Sequence, residues 1–146
     1  YVITLPNTDP GHALIRDVLL IAAKKPGRVA VEALGSRAYW GLLKVSDAML
    51  GNSSSALIEG SALGLPAVNV GVRQKGRLRG ENVIDALVNR ADISKALMKA
   101  LAPESRRALR EPPGLFGKGS SAALIVDTLR MWHPPFSPAT SGSEVH

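Results

Sequence analysis

Along the chain the spacing of apolar residues switches repeatedly between the two-residue period of a strand and the three-to-four-residue period of a helix. Tyr1 to Leu5 is a β-branched and aromatic run that stops at Pro6-Asn7-Thr8-Asp9-Pro10-Gly11, so it reads as a strand followed by a loop. From His12 to Lys25 the residues Leu14, Ile15, Val18, Leu19, Ala22 and Ala23 recur at helical spacing until Pro26-Gly27 ends the run. Arg28 to Leu34 alternates as a strand, Gly35-Ser36 breaks it, and Ser36 is the expected N-cap of a helix to about Val45. Asp47 to Leu50 predicts a very short buried strand. After Gly51-Asn52-Ser53-Ser54-Ser55 a helix is expected over Ala56 to Leu63, with Gly64 as its C-terminal cap. Ala67 to Val70 is the next strand, entered through Pro66, where a missing N–H is tolerated.

Strand and helix thus alternate at least three times, with crossovers long enough for parallel connections. The expected fold class is α/β, a Rossmann-like parallel sheet with helices on both faces. Further on, Val72 to Gly80 is a polar, basic loop, and Asn82 to Asp85 a short strand. Ile93 to Leu101 reads as an amphipathic helix, Pro103 to Leu109 as a short one, Glu111 to Gly114 as a loop and Ser120 to Trp132 as the last helix. Residues 1–132 are expected to form one domain, and the Pro-rich, polar segment 133–146 a fraying tail. Because Tyr1 lies inside a strand with no leader before it, the chain reads as a piece of a longer protein.

Composition narrows the chemistry. The 146 residues, 45% hydrophobic and 21% charged, suit one globular domain, and no apolar run approaches the roughly 20 residues that a membrane helix needs. No membrane partner is therefore expected. Without cysteine there is neither a disulfide framework nor a thiolate metal site, and His12, His133 and His146 share no ligand spacing. The expectation is a reduced, cytoplasmic protein without a metal or other cofactor. A net charge of +6 draws attention to polyanions, but aromatics are only 4% and the cations are scattered except between Arg73 and Arg79. One local anion site on a solvated surface fits better than a nucleic-acid partner, although a basic polyanion-binding module remains a third reading.

The candidate chemistry lies beyond the predicted strand ends, where open parallel sheets hold their ligands. Ser53, Ser54 and Ser55 stand at an expected helix start, a place suited to phosphate oxygens. Glu59 would stand roughly 7–8 Å further along that helix, about the reach from a diphosphate to a ribose. Simple helix capping by the serines and a solvated Glu59 is the other reading of the same spacing. Arg73, Lys75, Arg77 and Arg79 crowd into one loop on the same rim and would repel one another unless anions offset them. Asn7 and Asp9 also follow a strand end, where an Asx-turn is the default role. Nothing in the sequence identifies a partner that would make His12 a base.

Gly51-Asn52-Ser53-Ser54-Ser55, Glu59, Pro66 to Gly71, Arg73-Gln74-Lys75-Gly76-Arg77 and Gly80-Glu81-Asn82-Val83 together resemble the UDP-N-acetylglucosamine 2-epimerase family, most of all its hydrolysing branch, which serves sialic acid synthesis. Pro6 to Gly11 and Gly117 to Ser121 are similar to two further family segments. The resemblance implies the second domain of a two-domain, B-type glycosyltransferase-like fold, with the N-terminal domain missing from this chain and a homo-oligomer when full length. It implies that UDP-N-acetylglucosamine or a related UDP-sugar is held here: Asn7 on the nucleotide or sugar side, backbone near Leu34 at the uracil, Ser53 and Ser54 at the phosphates, Glu59 at the ribose and Arg73 in the phosphate region. The implied reaction eliminates UDP and hydrates the resulting glucal to N-acetylmannosamine, with catalytic residues mainly on the other domain. Ala56 stands where many relatives carry Gly, which leaves the choice between acetamido and diacetamido sugars open. The donor domain of a UDP-sugar glycosyltransferase is the neighbouring enzyme reading.

Overall fold

The computed structural model describes residues 1–108, 114–117 and 119–133. The expected loop at Glu111 to Gly114, the end of the helix at Leu109 and the tail beyond His133 fall wholly or mostly outside these residues, as does Lys118. The elements run β1 (Val2–Thr4), α1 (His12–Ala23), β2 (Val29–Val31), α2 (Gly35–Val45), β3 (Met49–Gly51), a 3-10 turn (Ser54–Ala56), α3 (Glu59–Leu63), β4 (Ala67–Val70), β5 (Val83–Ala86), α4 (Arg90–Leu101), α5 (Pro103–Ala108) and α6 (Ser121–Met131). The fold is α/β and Rossmann-like, and every strand pair in it is parallel.

The strands form two sheets rather than one. β1 pairs with β2, Val2 opposite Val29, while β3, β4 and β5 pair in that order, with Val68 opposite both Leu50 and Ile84. β2 is shorter than the alternating run Arg28 to Leu34 because its one partner among the described residues, β1, has three residues; beyond Val31 the chain turns through Glu32, whose carboxylate takes a 2.6 Å hydrogen bond from Arg16.

Side chains on a strand alternate between faces, and the central sheet uses both. On one side Val68, Val70, Ile84 and Ala86 pack against Ile93, Ala96, Leu97 and Ala100 of α4. The small Ala96 and Ala100 let that helix lie close to the strands. On the opposite side Ala67, with Met49 and Val83, packs against Ala56 and Leu57 from the turn and the segment after it. Both faces of β3–β5 are thus covered, one by α4 and the other by the 3-10 turn and Leu57, as the alternation of strand and helix along the chain predicts.

The helix starts differ from expectation in three places, the simplest being α4, which begins at Arg90 behind an Asn89 cap rather than at Ile93. At α2 the chain enters through Gly35 at φ +68°, a left-handed conformation that favours glycine, so Ser36 lies inside the first turn and no side chain caps the helix. The expected helix Ala56 to Leu63 is instead a 3-10 turn over Ser54–Ala56 and a separate five-residue α3, with Ile58 at the joint. Gly64 does cap α3 in the left-handed conformation (φ 61°), its N–H reaching the carbonyls of Gly60 and Ser61. Helices α1 and α6 contain no buried residue, so their apolar faces, Leu14 and Val18 on one and Leu124 and Leu129 on the other, are exposed. Among the described residues no helix is long and apolar enough to cross a membrane.

Candidate functional site

Because the pairs are parallel, the loops after β1, β3 and β4 all leave at strand carboxyl ends, and side-chain contacts join them. Gln74, in the loop after β4, donates from Nε2 to the carbonyl of Asn52 in the loop after β3 at 2.7 Å. Its neighbour Arg73 places a guanidinium nitrogen 3.6 Å from the Asp9 carboxylate in the loop after β1. The basic loop therefore lies between the serine turn and the Asn7 loop, tied to each.

Within the turn, Ser53 precedes the 3-10 residues in an extended conformation, and its hydroxyl oxygen accepts from the Ser55 N–H at 3.3 Å. That is a capping role, and Ser53 remains exposed while filling it. The Ser54 hydroxyl makes no hydrogen bond among the described residues, and its backbone carbonyl closes the turn by accepting from Leu57 and Ile58. Ser55 meets the Tyr39 hydroxyl of α2 at 2.6 Å. Glu59, half-buried, opens α3 and has no hydrogen-bond or ion-pair partner among the described residues. The Ala56 methyl, at the position noted as a departure from relatives, points into the cluster with Leu57 and Ala67, away from the hydroxyls.

Beneath the turn sits a buried polar knot. Asn82 donates from Nδ2 to the carbonyls of Ala56, at 3.0 Å, and Leu65, at 2.9 Å, while its Oδ1 accepts from the Ser61 hydroxyl at 2.6 Å. Ser61 Oγ in turn accepts from the Gly80 N–H at 3.1 Å. A Cβ at Gly80 would stand 2.7 Å from Ser61 Oγ and 2.9 Å from Asn82 Oδ1, so only glycine fits there. Asn82, expected to begin a strand, directly precedes it: β5 starts at Val83, and the Asn82 side chain serves as a staple beneath the turn.

The four cations of the basic loop are not equivalent. Arg79 donates to Asp85 at 2.7 Å, and Asn69 donates to the same carboxyl oxygen at 2.9 Å. The hydrogen bond from Arg79 first, then that from Asn69, holds the Asp85 carboxyl below its ordinary value of 3.8. Arg73 has the longer, exposed contact with Asp9, and Lys75 and Arg77 have no ion pair among the described residues. Two buried amide oxygens, Asn69 Oδ1 and Gln74 Oε1, likewise lack a partner among the described residues.

Of the expected site residues, Ser53, Ser54 and Arg73 are brought onto one rim through Gln74, with Glu59 one short joint further along. Asn7 is exposed in the loop that Arg73 reaches through Asp9. Leu34, half-buried at the start of α2, has no side-chain hydrogen bond to the others among the described residues, and its helix reaches them through Tyr39. Sequence reasoning missed Tyr39, Gln74 and Asn82. The available signal was a polar residue lodged in an otherwise apolar or structural setting, such as Asn82 just before Val83-Ile84. Among the described residues no group of three or more His, Asp or Glu could hold a metal ion.

Comparison with known proteins matches the sequence to one family. A sequence profile for UDP-N-acetylglucosamine 2-epimerase matches residues 1–130. A GDP/UDP-N,N'-diacetylbacillosamine 2-epimerase (hydrolyzing) from Campylobacter jejuni is 37% identical over 108 residues, 73% of this chain and 28% of that protein. A UDP-N,N'-diacetylbacillosamine 2-epimerase (hydrolyzing) from Legionella pneumophila is 42% identical over 96 residues, 66% of this chain and 26% of its own length. A polysialic acid biosynthesis protein from Escherichia coli is 35% identical over 91 residues, 62% of this chain and 23% of that protein. The chain thus spans about a quarter of the length of these curated relatives. With the profile covering nearly all of its residues, the chain belongs to the UDP-N-acetylglucosamine 2-epimerase family.

Proposed function

We propose that residues 1–132 form the C-terminal, nucleotide-binding half of a hydrolysing UDP-sugar 2-epimerase, completed by an N-terminal domain across a cleft. The observation that carries this reading is the convergence of the serine turn, the Arg73 loop and the Asn7 loop, joined by the Gln74–Asn52 and Arg73–Asp9 contacts. In this reading Ser53 and Ser54 hydrogen-bond the diphosphate, Arg73 exchanges Asp9 for phosphate oxygens, and Glu59 accepts from the ribose hydroxyls. Asn7 faces the nucleotide or sugar, and backbone groups near Leu34 meet the uracil. The turn is a 3-10 turn of only three residues, so the grip rests on hydroxyls and the guanidinium rather than on a helix dipole.

The chemistry is an elimination followed by hydration. A base removes the proton at C2, the C1–O bond breaks with its electron pair leaving on UDP, and water adds to the resulting glucal to give the 2-epimer. This half contributes stabilisation of the departing diphosphate, which donors already in place achieve without reorganisation. The general acid and base belong mainly to the other half, and none is assigned to a residue of this chain. The sugar is UDP-N-acetylglucosamine or, as the names of the Campylobacter and Legionella relatives suggest, a diacetamido analogue. The proposed enzyme is a cytoplasmic homo-oligomer that uses neither a cofactor nor a nucleic-acid partner.

Titration calorimetry of the chain with UDP is the direct test. Binding is expected, weakened about tenfold or more by Ser54→Ala and by Glu59→Ala, because each removes a hydrogen bond with a charged partner. No heat at millimolar UDP sinks the reading. For the protein joined to its N-terminal domain, free 2-epimer released from UDP-N-acetylglucosamine or its diacetamido analogue without an acceptor separates epimerisation from glycosyl transfer.

A further inference from the structure

We propose that Tyr39 and Gln74 are positioning residues that hold the serine turn ready for a diphosphate by gripping it on either side of Ser53 and Ser54. The inference rests on the nucleotide reading given above and extends it to two residues outside the set proposed to touch the ligand.

The turn is tied at three successive points by three different parts of the chain. Gln74 Nε2 holds the carbonyl of Asn52, the Tyr39 hydroxyl meets the Ser55 hydroxyl, and Asn82 Nδ2 holds the carbonyl of Ala56. Ser53 and Ser54 lie between the first tie and the second. The backbone that carries their hydroxyls is therefore held on both flanks. Fixing donors before the ligand arrives is what makes them effective, since little ordering is left to be done on binding. Gln74 has a second consequence, because it adjoins Arg73: the same hydrogen bond that fixes the turn sets the offset between the serine hydroxyls and the guanidinium.

The burial of Gln74 argues against a purely structural purpose. It is 3% exposed, yet its Oε1 has no partner among the described residues. A buried amide that satisfies only half its hydrogen-bonding capacity contributes less to stability than an apolar side chain of its shape. Asn52, by contrast, is exposed, so its carbonyl finds water when the tie is cut. Removing the amide should thus leave folding nearly intact while loosening the site. Asn82 differs: wholly buried and bonded three times, it anchors the fold beneath the turn.

The test is Gln74→Leu and Tyr39→Phe in the full chain, each read by UDP titration and by thermal unfolding. The expected result is a roughly tenfold weaker UDP affinity in each variant, with melting temperature shifted by less than about 4 °C. In a Ser55→Ala background, Tyr39→Phe should cause no further loss, because its hydroxyl partner is already gone. Unchanged UDP affinity in either variant, an additive loss in the Ser55→Ala background, or a larger drop in melting temperature overturns the clamp and leaves the nucleotide reading standing. A wild-type chain that binds no UDP overturns the nucleotide reading itself, and the clamp with it.

Discussion

At the scale of single residues, the polar groups that lie deepest do the most to shape the rim. Asn82 gathers the carbonyls of Ala56 and Leu65 and the hydroxyl of Ser61, so deleting its amide strands three buried groups at once. Asn82→Ala is expected to destabilise the chain by on the order of 3 kcal/mol, read from the urea midpoint at unchanged slope. Asn82→Asp should be worse still, since it turns a carboxylate toward two carbonyl oxygens. Asp85 acts at the surface and through charge. Its carboxyl is held below 3.8 by hydrogen bonds from Arg79 and Asn69, so the folded chain releases this proton more readily than the unfolded one. The stabilisation is complete above 3.8 and disappears as pH falls through the lower folded value. Both partners are substantially exposed, which limits the pair to under about 1 kcal/mol at neutral pH. Asp85→Asn should therefore lower the urea midpoint slightly at pH 7 and converge on the wild type in strong acid. A gap between the two proteins that widens with acidification would contradict the assignment.

At the scale of elements, what could be read from the sequence depended on how local the deciding force was. β4 was legible to the residue, because Pro66 before it and Gly71 after it are local signals and three of its four residues, Ala67, Val68 and Val70, are apolar. α4 was expected from Ile93 but begins three residues earlier, at Arg90, because Asn89 accepts from the Asp92 N–H at 2.9 Å, a side-chain cap that apolar spacing does not register. Asn89→Ala should lower stability by about 1 kcal/mol, measurable by urea unfolding, whereas Ser36→Ala should change almost nothing, since Ser36 caps no helix. The other misreadings contrast with β4. Ser36 was expected to cap α2 because nothing nearby shows that Gly35 adopts a positive φ. The helix after the serines breaks at Ile58 although its apolar spacing is helical throughout. The candidate site divides the same way: the placement of Ser53, Ser54 and Arg73 beyond strand ends was legible as polar clusters, while Tyr39, Gln74 and Asn82 make their contacts with partners 16, 22 and 26 residues away. No window on the sequence contains both ends of such a contact.

At the scale of the whole molecule, the apolar core is off-centre, and stability should be distributed accordingly. The clusters of buried residues lie on the two faces of β3–β5, while α1 and α6 have no buried residue of their own. Leucines in the two settings have the same sequence appearance, each in a helix-spaced apolar pattern, but opposite surroundings: Leu57 is 1% exposed and Leu129 63%. Truncating Leu57 removes methylenes packed against Ala56 and Ala67 and opens a cavity that the strands below cannot close. Leu57→Ala is therefore expected to lose about 2–5 kcal/mol, enough to endanger folding of a domain this size. Leu129→Glu places its charge in water and should shift stability by less than about 0.5 kcal/mol. Urea titrations of the two variants side by side decide the matter. A large loss in Leu129→Glu would mean that the α6 face is covered in solution and that the chain's apolar surface is arranged differently from the off-centre core described here.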